Sequence, residues 1–148
     1  MDPGQSGDKT AARWEHFPHR ADIGIRGCGP TREAAFEQAA IALTAICTDP
    51  RRVAERTAVE VACDGDDLEI LFYDYVNALV YEMATRHMLF ARCEVGIDGV
   101  GLRARAHGEP VDVRRHEPAV EPKGATLTEL RVERRADGSW LCQCVVDV

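Results

Sequence analysis

The chain has 148 residues, with 18 lysine and arginine side chains against 25 aspartates and glutamates, and a formal net charge of −7. This length suits a single domain, and a hydrophobic content of 45% is typical of a folded globular protein rather than a disordered one. The acidic balance argues against a protein that holds nucleic acid or an anionic membrane by itself, because both kinds of binding need a basic surface.

The N-terminal segment, residues 1–12, is polar and of mixed charge, and it predicts a flexible tail ahead of a single domain over residues 13–148. No segment has the apolar core of a signal peptide or the roughly 18 consecutive apolar residues of a membrane helix. The six cysteines form no CxxC pair, so we expect reduced, mostly buried thiols in a cytoplasmic protein.

The first predicted strand covers residues 21–28, where Ile23 and Ile25 alternate with other residues. A helix is predicted from Thr31, which suits the N-cap position, to about Cys47. The apolar residues of this helix recur at helical spacing and many are alanines, so we expect it to pack closely against a sheet.

A second strand is predicted at residues 57–63, and a second helix follows Gly65 and ends near Arg86. Either Asp66 or Asp67 is suited to cap it. A wide apolar stripe on this helix predicts that one face is buried. The stripe consists of Leu68, Leu71, Phe72, Tyr75, Val76, Leu79, Val80 and Met83.

The C-terminal half predicts two β-hairpins. Strands at residues 87–96 and 101–107 flank one Asp-Gly dipeptide, and strands at residues 125–135 and 140–148 flank another. Asp-Gly between alternating segments is a strong hairpin signal, because both residues tolerate the backbone conformation of a tight turn.

Residues 108–124 contain three prolines and predict a loop, with one short edge strand near residues 111–114. Two hairpins, two long helices and the single strands together predict an α+β fold. We expect a single two-layer domain in which two amphipathic helices pack on antiparallel β-sheet.

Candidate functional residues lie where the first strand begins and where the last one ends. His19 and Asp22 are spaced to form a hydrogen-bonded pair or to ligate a metal, although strand capping and turn formation explain them equally well. Asp147 and Val148 follow an apolar strand directly, and their carboxylate and main-chain oxygens are hard ligands that suit Ca²⁺ or Mg²⁺. A solvated chain end is the alternative interpretation.

Other catalytic patterns are missing from the sequence. It contains no GxSxG, GxxxxGKS/T or HExxH motif, and its cysteines lack the spacing of a zinc site. No nucleophile has an adjacent base, so we do not expect a self-sufficient enzyme.

Five segments, in order, resemble the archease family over about residues 14–148. They are His19-Arg20-Ala21-Asp22-Ile23-Gly24-Ile25-Arg26-Gly27; Thr31-Arg32-Glu33-Ala34-Ala35-Phe36-Glu37-Gln38-Ala39-Ala40; Asp67-Leu68-Glu69-x-Leu71-x-x-x-Tyr75-x-Asn77-x-Leu79; Pro122-Lys123-Gly124-Ala125-Thr126; and Val146-Asp147-Val148. The family usually opens with His-Thr-Ala-Asp, so Arg20 replaces its threonine here. Any role of that hydroxyl is therefore lost.

This resemblance implies an accessory protein of the GTP-dependent tRNA-splicing RNA ligase, which promotes guanylylation of the ligase histidine and allows multiple turnover. It implies that Asp22 and Asp147 are metal ligands and that Val148 contributes main-chain oxygen. Ca²⁺ is the favoured ion, with Mg²⁺ and Mn²⁺ open. Lys123 is the implied residue that acts on the ligase. RNA is then contacted only through the ligase, and no membrane partner is expected.

Lys123 is also distinctive in its own right, because it is the only lysine of the predicted domain. A compact ammonium can meet a phosphate as a point charge in a way that a planar guanidinium does not. The alternative is that a single lysine persists in a loop by chance.

Two other functions stay open at this point. The first is a stand-alone metal-dependent phosphoesterase that uses Asp22 and Asp147. The second is a chaperone-like protein-binding module in which the metal is structural.

Overall fold

Residues 11–148 are the part of the chain that this computed structural model describes. The strands there are β1 (Arg13–His19), β2 (Asp22–Gly29), β3 (Thr57–Asp64), β4 (Met88–Ile97), β5 (Gly101–Pro110), β6 (Gly124–Ala125), β7 (Arg131–Arg134) and β8 (Trp140–Asp147). The helices are α1 (Arg32–Cys47), α2 (Leu68–Arg86) and the short α3 (Val113–His116), with one turn of 3-10 helix at Pro50–Arg52.

The strands form two antiparallel sheets. In the first sheet the order is β1-β2-β8-β6, and β7 also pairs with β8. In the second sheet β5 lies between β3 and β4. Because the helices pack on these sheets around one hydrophobic core, the predicted α+β fold is confirmed.

Helix α1 joins the two sheets, since it contacts β2 in the first and β4 in the second. Its N-terminus is capped as predicted, with the Thr31 hydroxyl accepting the amide of Ala34 at 3.0 Å. A Cβ atom at Gly27 of β2 would overlap the carbonyl oxygen of Ala35. Glycine in the strand and alanine in the helix therefore permit the close packing expected from the sequence.

Helix α2 buries its predicted apolar stripe, apart from the partly buried Leu68. Of the two candidate caps, Asp67 is the one that serves, and its Oδ1 accepts the amides of Glu69 and Ile70. The hydroxyl of buried Tyr75 donates to the carbonyl oxygen of Phe36 at 3.1 Å and so links the two long helices inside the core.

Both predicted hairpins form. The turn between β4 and β5 is held by Asp98, whose Oδ1 accepts the amides of Val100 and Gly101. The turn between β7 and β8 contains Gly138, which has a φ of 88°. Residues that carry a side chain rarely adopt this backbone conformation.

Strand β1 is an element that the sequence analysis did not predict. It pairs with β2 from Arg13↔Cys28 to His19↔Asp22. Most of its residues are exposed and it contains Pro18, so its sequence lacks the regular apolar–polar alternation and the composition of a typical strand. An edge strand tolerates both features, because one of its sides donates no hydrogen bonds to a neighbour.

Two predictions for the C-terminal half were wrong in detail. The strand predicted at residues 125–135 is broken into β6 and β7, because the Leu130 amide donates to the Leu127 carbonyl oxygen at 3.3 Å and closes a turn in which Glu129 has a φ of 56°. The edge strand predicted near residues 111–114 is instead the start of α3. Asp112 caps this helix by accepting the amides of Arg114 and Arg115.

A buried carboxylate holds the α3 region together. The Glu109 side chain is 1% exposed and accepts the amide of Ala54, both terminal nitrogens of Arg115 and the Nε2 atom of His116. Arg56 adds an ion pair at 3.1 Å. Hydrogen bonds from the Arg115 guanidinium hold the pKa of Glu109 well below its usual range. We call these five residues the Glu109 network.

The contacts of His116 define its tautomer. Its Nδ1 atom accepts the amide of Asp112 at 2.8 Å, so this nitrogen carries no proton. Its Nε2 atom faces Glu109 at 2.9 Å and is the donor. Both ring nitrogens are therefore engaged, one by the Asp112 amide and the other by Glu109 of the network.

Within residues 11–148, no helix combines the length and apolarity needed to cross a membrane. All six cysteines are free and five are buried, as predicted. Burial raises the pKa of the Cys47 and Cys144 thiols to about 12, which makes them poor nucleophiles. The tail predicted over residues 1–12 lies outside the described residues except for its last two positions.

Candidate functional site

The start of β2 and the end of β8 meet at one end of the first sheet. The register ends at Ile23 paired with Val146, so Asp22 and Asp147 are the next residue of each strand beyond the last pair. The amide of Val148 donates to Oδ1 of Asp22 at 3.2 Å. Antiparallel pairing therefore brings together the residues that the sequence analysis proposed as metal ligands, although they are separated by most of the chain.

Lys123 lies beside the same strand end. Its amide donates to the carbonyl oxygen of Asp147 at 2.8 Å, and the next residue, Gly124, pairs with Asp147 in the sheet. The Lys123 side chain is exposed, whereas the preceding Pro122 is buried. The main chain of the lysine is thus anchored to the main chain of Asp147, while its ammonium can face a partner.

His19 takes a different position from the one its spacing suggested. It closes the β1–β2 hairpin opposite Asp22. Within residues 11–148, no hydrogen bond joins the His19 ring to the Asp22 carboxylate, whose Oδ1 is engaged by Val148. The hydrogen-bonded pair considered from the sequence is absent there.

Arg20 occupies the tip of this hairpin. It is exposed and has a φ of 56°, in the left-handed region that residues with a side chain rarely adopt. The arginine therefore lies two residues before Asp22, on a turn that forms here without a threonine hydroxyl.

Asn77 supports the site, and sequence reasoning gave it no role. It is half-buried on α2, and its Oδ1 accepts the amide of Ala125 at 2.9 Å. A signal was present, because this is the only asparagine in the chain and it stands inside a helix, where asparagine has low propensity. Its partner could not be found without the tertiary structure.

The donor set fits a hard divalent cation. Within residues 11–148, no three His, Cys, Asp or Glu side chains are grouped to hold a metal by themselves. The candidate site offers two carboxylates, from Asp22 and Asp147, and main-chain oxygen from Val148. Oxygen ligands of this kind suit Ca²⁺, Mg²⁺ or Mn²⁺, and these ions commonly complete their coordination with water.

Comparison with known proteins identifies the family to which the chain is similar. The family model described as "Archease protein family (MTH1598/TM1083)" matches residues 14–148. Protein archease of Pyrococcus furiosus is 37% identical over 140 residues, covering 92% of this chain and 99% of the relative. Protein archease of Pyrococcus abyssi is 39% identical with the same coverage.

A solved structure also shares the fold. The solution structure of Methanobacterium thermoautotrophicum protein 1598 matches with a TM-score of 0.80 and 29% sequence identity, covering 91% of this chain and 98% of that one. The family match and the curated relatives each extend over nearly the whole described part of the chain. The chain belongs to the archease family.

Proposed function

We propose that this protein is an accessory factor of the GTP-dependent tRNA-splicing RNA ligase, rather than a self-sufficient enzyme. In this function it promotes guanylylation of the ligase histidine and sustains multiple turnover in tRNA splicing and RNA repair. One observation carries the proposal: Asp22, Asp147, Val148 and Lys123 meet at one end of the first sheet, in a chain of the archease family.

Asp22, Asp147 and the main-chain oxygen of Val148 would hold a divalent cation, with Ca²⁺ favoured. The side chain of Asp147 is exposed and makes no hydrogen bond or ion pair within the described residues, so its oxygens are available. When bound, the cation supplies positive charge that offsets the two carboxylates and favours nearby phosphate oxygens. The protein's own part is to hold the carboxylates together at the strand ends.

The main chain of Lys123 is held by hydrogen bonds, whereas its long, exposed side chain can move and carries a positive charge. Its ammonium can approach a phosphate of the ligase-bound nucleotide or an acidic side chain of the ligase. The net charge of −7 supports a division of labour in which the ligase holds the RNA and this protein contacts the ligase. Six unpaired cysteines support a cytoplasmic setting, where thiols stay reduced.

The test is transfer of labelled guanylate from GTP to the ligase histidine, with stoichiometric amounts of this protein. We expect Asp22→Ala, Asp147→Ala and Lys123→Ala each to lower the rate of stimulated guanylylation by about 10-fold or more, the factor that corresponds to one lost charged contact. Matched controls are Asp66→Ala and Arg103→Ala, which remove exposed charges that make no ion pair or side-chain hydrogen bond with any residue from 11 to 148. Full stimulation by all three site variants would contradict the proposal.

Two assays of the isolated protein separate this function from the other two considered from the sequence. We expect no turnover of a generic phosphodiester with Mg²⁺ or Mn²⁺, and no suppression of aggregation of unrelated client proteins. Phosphodiester turnover lost on Asp22→Ala would favour a phosphoesterase, whereas client protection without any effect on the ligase would favour a chaperone-like module.

A further inference from the structure

The segment that carries Lys123 is held from two sides. On one side the amides of Lys123 and Thr126 donate to the Asp147 and Val145 carbonyl oxygens of β8, at 2.8 and 2.9 Å. On the other side the amide of Ala125 donates to Oδ1 of Asn77. Within the described residues, no other side chain of α2 forms a hydrogen bond to residues 121–126.

Gly124 shows how closely the helix approaches this segment. A Cβ atom there would lie 3.0 Å from Oδ1 of Asn77, and, leaving its two chain neighbours aside, would meet no other heavy atom of residues 11–148 within 4 Å. The φ of Gly124 is not in the left-handed region, so its backbone conformation is open to alanine. A side chain at position 124 would therefore crowd Asn77, and glycine avoids this contact.

We propose that Asn77 is a positioning residue for Lys123, an inference that rests on the proposed function of that lysine. The bond to Ala125 fixes the main chain two residues after the lysine, while β8 fixes the lysine's own amide. The ammonium then starts from a defined point beside Asp147. A long side chain on an anchored backbone loses less freedom when it engages a partner than one on a moving loop.

The tether itself is measured by hydrogen exchange of the Ala125 amide, a readout that needs no ligase. We expect Asn77→Ala to accelerate this exchange by about 10-fold or more, because the amide loses its acceptor. Asn77→Asp keeps an acceptor oxygen on a side chain of the same shape and is expected to retain slow exchange. The control on the same helix is Glu82→Ala, which removes an ion pair with Arg86 and leaves residues 122–126 untouched.

The consequence for Lys123 is measured by ligase guanylylation in a double-mutant cycle. We expect Asn77→Ala to reduce stimulation by about 10-fold, since small displacements of a positioned group are costly. The loss should disappear in a Lys123→Ala background, because the two residues act as a unit. Gly124→Ala is expected to cause a smaller loss, as its Cβ displaces Asn77.

Each outcome decides one part of the proposal. Unchanged Ala125 exchange in Asn77→Ala would overturn the tether. If exchange is faster but Asn77→Ala lowers stimulation by the same factor in the Lys123→Ala background, Asn77 does not act through Lys123. If Lys123→Ala alone leaves stimulation intact, the proposed function of the lysine fails, and Asn77 is then no positioning residue even where the exchange result holds.

Discussion

The carboxylates of this protein occur in two contrasting arrangements. Glu109 is buried, and its oxygens are satisfied by two arginines, a histidine and a main-chain amide. Asp22 and Asp147 lie at strand ends, where Asp22 accepts one amide and Asp147 is exposed. The Glu109 network has no coordinating capacity left for a ligand, whereas the strand-end carboxylates do.

The number of ionisable side chains in a cluster therefore does not identify a binding site. The Glu109 network has four of them and the strand-end site has three, so a count of such side chains alone would select the network. Its hydrogen bonds instead connect β5, the segment after the 3-10 turn and α3. A saturated buried cluster maintains the fold, and an unsaturated one at the surface is free to bind.

The largest expected effect comes from removing the buried acid. Glu109→Ala should lower the free energy of unfolding by about 3 to 5 kcal/mol, because it leaves buried polar partners without their counterpart. The measurement is urea denaturation at pH 7. As a control, Glu60→Ala removes an exposed pair with Arg105 and should cost about 1 kcal/mol or less. Equal losses of unfolding free energy in the two variants would show that a fully hydrogen-bonded, buried carboxylate does not identify a cluster that stabilises the fold.

A smaller effect is expected from metal at the strand-end site. Ca²⁺ at 100 times its dissociation constant should raise the free energy of unfolding by about 2.7 kcal/mol, since it binds only the folded state. A chelator should reverse the gain, and Asp22→Asn should abolish it while keeping an acceptor for the Val148 amide. Asp66→Asn is the matched control and should respond as the wild type does. Stabilisation that survives in Asp22→Asn would place the ion elsewhere.

The smallest expected effect is the pH dependence of stability that the buried Glu109 contributes. Because its pKa is lowered in the folded protein, Glu109 contributes stability that is fully present above its unfolded-state pKa of about 4.3. That contribution is lost as the pH falls below this value, with a slope of up to about 1.4 kcal/mol per pH unit. Comparing wild type with Glu109→Gln by denaturation between pH 6 and 3.5 checks this. A difference that stays constant over this range would contradict the assignment.

Much of the fold could be predicted from the sequence, and the exceptions have physical reasons. Both long helices follow from their apolar spacing and caps, and both hairpins follow from Asp-Gly turns. Strand β1 could not be predicted, because an edge strand with exposed residues and a proline is stabilised by its pairing with β2 rather than by its own composition. The short helix α3 depends on its Asp112 cap and on the burial of His116.

The candidate site divides in the same way. The sequence pattern and the family resemblance identified Asp22, Lys123, Asp147 and Val148 as candidates, and antiparallel pairing accounts for their proximity. Asn77 could not be assigned a role, because its hydrogen bond to Ala125 joins residues on different elements. The Glu109 network was missed for the same reason.

The sequence by itself determined the α+β class, the two long helices, the turns and the residue types able to bind a hard cation, because local periodicity and chemistry are written in neighbouring residues. Only the tertiary structure decided which carboxylates have all their oxygens hydrogen-bonded within the fold and which keep oxygens available to a ligand. That distinction depends on burial and on hydrogen-bond partners such as Asp22 with Val148 and Glu109 with Ala54, which come from distant parts of the chain.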